Sequence, residues 1–431
     1  MKSFHIVTLG CDKNLVDSEE IAGRLIQKGA RLVSQWSEAD LLLINTCAFI
    51  DAAKEESIET ILEYARLREV SGAKMRIAVI GCLPEIHKEE LAKEIPEVDD
   101  WVIPSQYQNI EALLESAAPG KSGEHVQGFI GPFDCRIPLD KAHYRYLKIS
   151  DGCDLPCSYC TIPKIRGGLR SRSLDEVKRE MDRLSEDERI KEVILVSQST
   201  SFYGTDNGSS LNSLLDLWGR YSFPWKRLLY LDVRRIDADF LKAVGDNGIL
   251  PYFDVPLQHA HDGVLHAMKR GYTQRNILDT LDMIKNTFDD AVLRTTFITG
   301  FPGETEEAFQ DLLSFVRRGY FDKMGAFAYS FQEKSPGAGL GDPVCAHVKE
   351  ERVEKLMTAQ REISTDKLAA LTEQSFDCLV DFTGEEGRIW RDAPDVDGVV
   401  FLDNPEALEG EFYPVTITGS YEYDLEGEVD V

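Results

Sequence analysis

The chain has 431 residues, 43% of them apolar and 29% charged, with 48 Lys and Arg against 75 Asp and Glu and a formal net charge of −27. That balance fits a globular chain of two or three domains. It argues against non-specific nucleic-acid binding, because the overall field repels phosphate, and it favours a basic partner. No apolar run reaches the ~18 residues of a membrane-spanning helix. The N-terminus enters a strand pattern directly, without the basic start and long apolar stretch of a signal peptide, so a cytoplasmic protein with no membrane partner is expected. Nine cysteines, an odd number, argue against a disulfide framework and leave metal or cluster ligation, or buried free thiols.

Taken in chain order, short apolar runs at residues 5–9, 41–45 and 77–81 are expected to be buried parallel strands. Helices are expected over 17–29 and 52–68, with Asp17 and Ser18 as caps of the first. This alternation predicts an N-terminal parallel βα domain over residues 2–118. Residues 117–123 read as a linker, and Pro132 and Pro138 follow. From 139 to 369, six strands are expected, at 144–149, 193–197, 228–232, 252–255, 292–298 and 326–330. Helical patterns lie between them, so an open βα barrel is expected. From 371 to 431, β-like runs at 376–382, 398–402 and 413–417 alternate with Gly and Asp turns and predict a small all-β barrel. The fold class is therefore α/β with a C-terminal all-β barrel.

The strongest chemical signal is Cys153-Asp154-Leu155-Pro156-Cys157-Ser158-Tyr159-Cys160, just after the first barrel strand. Three thiolates on one loop can bind three irons of a [4Fe–4S] cluster and leave the fourth iron free to chelate a small molecule. A structural zinc site would want four ligands and paired two-residue spacers, so the unequal spacing fits zinc poorly. Cys11, Cys47 and Cys82 look unrelated by distance in sequence. Each, however, follows the end of an expected parallel strand, and ligands in an open α/β sheet gather at those ends. Packing as small apolar side chains is the alternative for these three.

The pattern Cys-x-x-x-Cys-x-x-Cys with Tyr159 before the last cysteine resembles the radical S-adenosylmethionine superfamily. In that family the open iron holds S-adenosylmethionine and one electron cleaves it to a deoxyadenosyl radical. Residues 296–304, which include Gly300 and Glu304, resemble the family's adenine-side glycine motif, and Gln198 and Gln258 stand where cofactor contacts are expected. Leu9-Gly10-Cys11-Asp12-Lys13-Asn14, Asn45-Thr46-Cys47, Gly81-Cys82-Leu83-Pro84, Arg166-Gly167 and Met268-Lys269-Arg270 extend the likeness nearly end to end, to the methylthiotransferase branch. That resemblance implies two [4Fe–4S] clusters, on Cys11, Cys47 and Cys82 and on Cys153, Cys157 and Cys160, and two equivalents of S-adenosylmethionine per turnover. One methylates a sulfur held on the N-terminal cluster. The other yields the radical that takes hydrogen from an unactivated C–H bond, to which the methylthio group is delivered. An electron donor and a sulfur source are implied as partners. Residues 231–235 depart from the aromatic–proline pair the family commonly carries after that strand. Cys135, Cys345 and Cys378 read as bystander thiols.

Family members act on a transfer RNA adenosine or on an aspartate of a ribosomal protein. From residue 371 onward, 17 Asp and Glu face two Arg, so this segment carries about −15 of the total charge. RNA-binding barrels present basic grooves, so transfer RNA is the less favoured substrate, and an acidic face steers a basic ribosomal protein. Lys13-Asn14 and the segment 388–398 resemble the ribosomal-protein branch. The expectation is methylthiolation of an aspartate β-carbon in small-subunit protein twelve, with Trp390, Asp392, Asp395 and Asp397 as docking residues. The alternatives are transfer RNA methylthiolation and a non-catalytic iron–sulfur sensor.

Overall fold

A computed structural model of the protein describes residues 2–115 and 135–430. The linker-like run 117–123 and Pro132 lie outside the described residues.

The N-terminal unit runs β1 (Ser3–Thr8), α1 (Asp12–Gln27), β2 (Arg31–Leu32), β3 (Leu41–Thr46), α2 (Asp51–Ser71), β4 (Arg76–Gly81), α3 (Cys82–Glu94) and β5 (Asp100–Val102). Its five strands are all parallel, in the order β2-β1-β3-β4-β5. The central strand β3 is buried along its whole length, as its unbroken apolar start requires. Helix α1 begins five residues before the expected start, with Cys11 as its N-cap. Asp17 and Ser18 are therefore interior helix residues rather than caps. Asp17 is completely buried, and it is tolerated there because Lys148 and Arg166 from the next unit pair with it.

The central unit contains β6 (Tyr144–Lys148), a short antiparallel pair β7 (Ser150–Asp151) and β8 (Arg170–Ser171), α4 (Ile162–Ile165), α5 (Leu174–Ser185), β9 (Glu192–Val196), α6 (Leu211–Trp218) and β10 (Trp225–Leu228). It continues through α7 (Ala238–Asp246), β11 (Tyr252–Asp254), α8 (Asp262–Ala267), α9 (Gln274–Thr287), β12 (Val292–Thr299), α10 (Glu306–Val316), β13 (Lys323–Ala328) and α11 (Ala346–Ala369). The six parallel strands stand in strict chain order, β6-β9-β10-β11-β12-β13, without closing, as an open βα barrel does. Two strands are displaced from expectation. β10 ends at Leu228, where it was expected to begin, because Tyr230 turns into the left-handed region at φ 65° and residues 233–235 form a 3-10 turn. β13 begins three residues early, at Lys323.

The C-terminal unit is a closed barrel of β14 (Ser375–Phe382), β15 (Glu386–Ile389), β16 (Val400–Leu402), β17 (Phe412–Ser420) and β18 (Leu425–Val429). β15 and β18 were not expected. Both are short and rich in Glu and Gly, and only alternate side chains of β18 face the core, so no apolar run marks them.

This barrel is clamped onto the N-terminal ends of the central strands. Glu192, at the start of β9 and fully buried, is shared by Arg227 at 2.6 Å and by Arg388 of β15 at 2.8 Å. Arg388 also pairs with Asp381 at 2.6 Å, and His143 Nε2 lies 2.7 Å from the same carboxylate. Trp390 and Ala393 pack with Tyr144, Tyr146, Tyr252 and Val292 on the inner face of the sheet. Arg388→Met leaves buried carboxylates short of a cation and should cost about 3–5 kcal/mol of stability. A fall in the calorimetric unfolding temperature checks this. Arg189→Met, at an exposed pair, should be nearly silent.

Candidate functional site

The three N-terminal cysteines converge because their strands are neighbours. Cys11 follows β1, Cys47 follows β3 and Cys82 opens α3 directly after β4. Glycines make the approach possible. Gly10 has φ +89°, and a Cβ there would stand 2.7 Å from Cys47 Cβ and 3.1 Å from its sulfur. Gly81 has φ +102°, and its Cβ would meet the Thr46 carbonyl at 2.4 Å. Cys47 and Cys82 are buried and Cys11 is exposed. The Cys82 thiol donates to Asn14 Oδ1 at 3.9 Å, and Arg166 Nη2 lies 3.6 Å from the same sulfur.

Cys153, Cys157 and Cys160 share the loop between β7 and α4. Sulfur-directed donors surround them: the Leu155 amide to Cys153 at 3.5 Å, the Ile162 amide to Cys160 at 3.4 Å and Arg270 Nη1 to Cys157 at 3.4 Å. Burial pushes the Cys153 thiol up to about 11 and Cys82 and Cys160 up to about 12, against which the charges of Arg166 and Arg270 act. A cationic occupant would favour the thiolate form in such places. Among the described residues no three His, Cys, Asp or Glu gather closely enough for one metal ion. A cluster makes no such demand, since each thiolate binds a different iron. Both triads therefore have a donor set that suits an iron–sulfur cluster.

Two arginines, assigned no role from sequence, organise the region. Arg166, just beyond the cysteine loop, donates to Asn14 Oδ1 at 2.7 Å and pairs with Asp17 of α1, whose other oxygen takes Lys148. It thereby ties the central cysteine loop to Cys82. Arg270 is bound to Cys157, to the Tyr159 hydroxyl at 3.1 Å, to the Pro256 carbonyl at 2.8 Å and to Tyr272 at 2.8 Å. The sequence signal for both was their place in the segments that resemble the methylthiotransferases. Helix α1 enters the mouth of the central sheet, where Leu15 and Val16 pack with Tyr146, Ile194, Val196 and Leu229.

Of the expected cofactor contacts, Tyr159 lies against Phe301 and Tyr329 beside the cysteine loop. Gln198 lies two residues past the end of β9, with a buried Oε1 that has no partner. Gln258, at φ 73°, bridges to β12 through its backbone. Gly300 has φ +72° and Lys349 at its back. Glu304 is already engaged, by the Gly300 amide at 2.9 Å and Arg352 at 2.7 Å, so it shapes the glycine loop.

Of the expected docking residues, Asp392 is buried, Trp390 and Asp397 are partly buried and Asp395 is exposed. Asp392 pairs with Lys323, Asp395 accepts from Tyr146 at 2.9 Å and Tyr144 at 3.0 Å, and Asp397 accepts from Tyr252 at 2.5 Å. Trp390 is partly buried against the inner face of the central sheet. These four help fix the barrel to its neighbour, because the strand starts present Tyr, Arg and Lys groups that need acidic partners. Cys378 lies in the barrel core, Cys345 is exposed, and Cys135 contacts Glu20 at 3.5 Å.

Comparison with known proteins agrees with this architecture. Residues 3–103 match the uncharacterized protein family UPF0004, residues 147–316 the radical SAM superfamily and residues 374–429 the TRAM domain. The ribosomal protein uS12 methylthiotransferase RimO of Aquifex aeolicus is 41% identical, over 98% of this chain and 96% of its own length. That of Clostridioides difficile is 37% identical, over 100% of this chain and 99% of its own. Among solved structures, the radical S-adenosylmethionine methyltransferase TsrM of Kitasatospora setae, with cobalamin and a [4Fe–4S] cluster bound, shares the fold. Its TM-score is 0.57 over 78% of this chain and 77% of that one, at 13% identity. No helix among the described residues is long and apolar enough to cross a membrane. With this identity carried across its whole length, the chain belongs to the RimO family of radical S-adenosylmethionine methylthiotransferases.

Proposed function

We propose that this chain transfers a methylthio group to the β-carbon of an aspartate of ribosomal protein uS12, with two [4Fe–4S] clusters and two equivalents of S-adenosylmethionine per turnover. The observation that carries the reading is the pair of cysteine triads joined by one buried arginine, in a chain alike end to end with uS12 methylthiotransferases. Cys153, Cys157 and Cys160 hold the cluster that takes S-adenosylmethionine, and Cys11, Cys47 and Cys82 hold the auxiliary one. When bound, these groups supply the radical and the transferable sulfur. The chain's own residues do the positioning. Arg270 orients Cys157 and Tyr159, Gln198 and Gln258 offer polar groups at the strand ends, and the Gly300 loop, shaped by Glu304, lies beside them. The working units are residues 2–118, 139–369 and 371–431, in accord with the three large sheets and the three matched ranges.

The substrate reading also rests on charge. Both arginines of the C-terminal segment face the central unit: Arg388 pairs with Glu192, and Arg391 with Asp322 at 3.3 Å. The outer face is left to acids such as Glu373, Asp377, Asp403 and Glu428, all exposed. Such a face attracts a basic protein and repels RNA. The electron donor and the sulfur source come from outside the chain. A cleft of 930 Å³ between α3 and residues 331–334, reaching Thr161 beside Cys160, is the approach we assign to them.

Anaerobic reconstitution should load about eight irons per chain. Cys157→Ala should halve that and abolish deoxyadenosine formation. Cys47→Ala should also halve it, yet leave deoxyadenosine measurable and stop methylthiolation. Equal loss of S-adenosylmethionine cleavage in both variants contradicts the assignment. In a second test, uS12 binding should weaken steeply as salt shortens the screening length to about 3 Å at 1 M. Tight, salt-sensitive binding of transfer RNA instead would favour the RNA reading.

A further inference from the structure

Lys13 stands two residues after Cys11, in the first turn of α1, with its side chain 10% exposed. Its ammonium lies 3.3 Å from the centroid of the Tyr230 ring, just past the end of β10. The charge is thus at the join of the N-terminal and central units, at the mouth where α1 enters the open sheet. Tyr230 is held there in a conformation that side chains avoid, at φ 65°. Its amide donates to Asp254 Oδ2 at 2.9 Å, and Arg294 fixes the other oxygen of Asp254 at 2.9 Å. Backbone strain maintained by a buried ion pair marks a side chain whose position matters.

The partner of Lys13 is Asp12, and it is poorly served. One oxygen, Oδ1, takes both the Lys13 ammonium at 2.9 Å and the Tyr230 hydroxyl at 3.0 Å. The other, Oδ2, is buried with no partner, on a side chain only 7% exposed. A buried carboxylate oxygen without a donor is costly, so this carboxylate is readily replaced. The other cations nearby are committed more fully. Arg166 is bound by Asp17 and Asn14, Arg270 by four partners, and Arg234 by Asp232 through two hydrogen bonds of 2.8 Å.

We propose that Lys13 and the Tyr230 hydroxyl bind the side-chain carboxylate of the substrate aspartate, and that Asp12 occupies that place until the substrate enters. The proposal rests on the aspartate reading given above and names its specificity determinant. The carbon that loses hydrogen is bonded to a carboxylate, and a carboxylate leaving water for this mouth requires a cation. Exchange of one carboxylate for another keeps Lys13 neutralised throughout. Lys13 is in this sense a specificity residue and Asp12 a placeholder.

The test is titration calorimetry on anaerobically reconstituted enzyme. The probes are uS12 and its Asp→Asn form at the aspartate that mass analysis finds modified. The unaltered enzyme should prefer the aspartate form by about tenfold or more. Lys13→Met should bind both forms alike, at the weaker level, and Lys13→Arg should recover part of the preference. Asp12→Asn should bind the aspartate form about tenfold more tightly than the unaltered enzyme, a gain that no loss of structure produces. Should Lys13→Met fail to load iron, Asp12→Asn and Tyr230→Phe carry the test, the latter with a reduced preference. Equal affinity of the unaltered enzyme for both forms, an unchanged preference in Lys13→Met, or no gain in Asp12→Asn overturns the proposal. Failure of the underlying reading looks different: the unaltered enzyme then modifies no aspartate of uS12.

Discussion

The guanidinium of Arg166 is where the two cysteine loops meet. It leaves the loop that carries Cys153, Cys157 and Cys160, crosses to Asp17 and Asn14 of α1, and reaches the sulfur of Cys82. Asp17 and Lys148 have no exposed surface, so the ion pair works in a medium of low dielectric where loss of one partner is expensive. Any relative movement of the two units would strand a charge. The register between the two triads is therefore set by an electrostatic clamp, and the apolar contacts of Leu15 and Val16 fill the space around it.

A second clamp sits at the opposite end of the central sheet. Glu192 is shared by Arg227 and Arg388, and the carboxylates of Asp392, Asp395 and Asp397 meet Lys323, the tyrosines of β6, and Tyr252. The acidic barrel has two faces with different work. Its inner acids and both arginines hold it to the floor of the sheet, and its outer acids stay exposed. A high count of acids in a segment does not by itself say which of them face outward.

Much of this was legible in the sequence. The six cysteines and the three sheets follow from motif spacing and from apolar runs that continue through buried parallel strands, such as β3. What stayed hidden depended on long-range pairing. Asp17 and Ser18 have the composition of a helix cap, and only the cations of another unit make a buried place for Asp17 affordable. The early end of β10 turns on the left-handed Tyr230, held by Asp254 across the sheet. β15 and β18 carry Glu and Gly in alternation with a thin core face, and a five-stranded barrel needs no more from them. Trp390 could be read as barrel core or as an exposed anchor, and nothing in its own segment announces the lysine, arginine and tyrosine side chains that receive the acids after it.

Arg166 is proposed to keep the two cysteine triads in working register. The most direct measurement is the number of deoxyadenosine molecules released per methylthiolated uS12 in Arg166→Met and Arg166→Lys enzymes, each reconstituted to the iron content of the unaltered protein. Arg166→Met should still cleave S-adenosylmethionine but give far fewer productive transfers, and Arg166→Lys should recover part of the coupling. A ratio in Arg166→Met equal to that of the unaltered enzyme would contradict it.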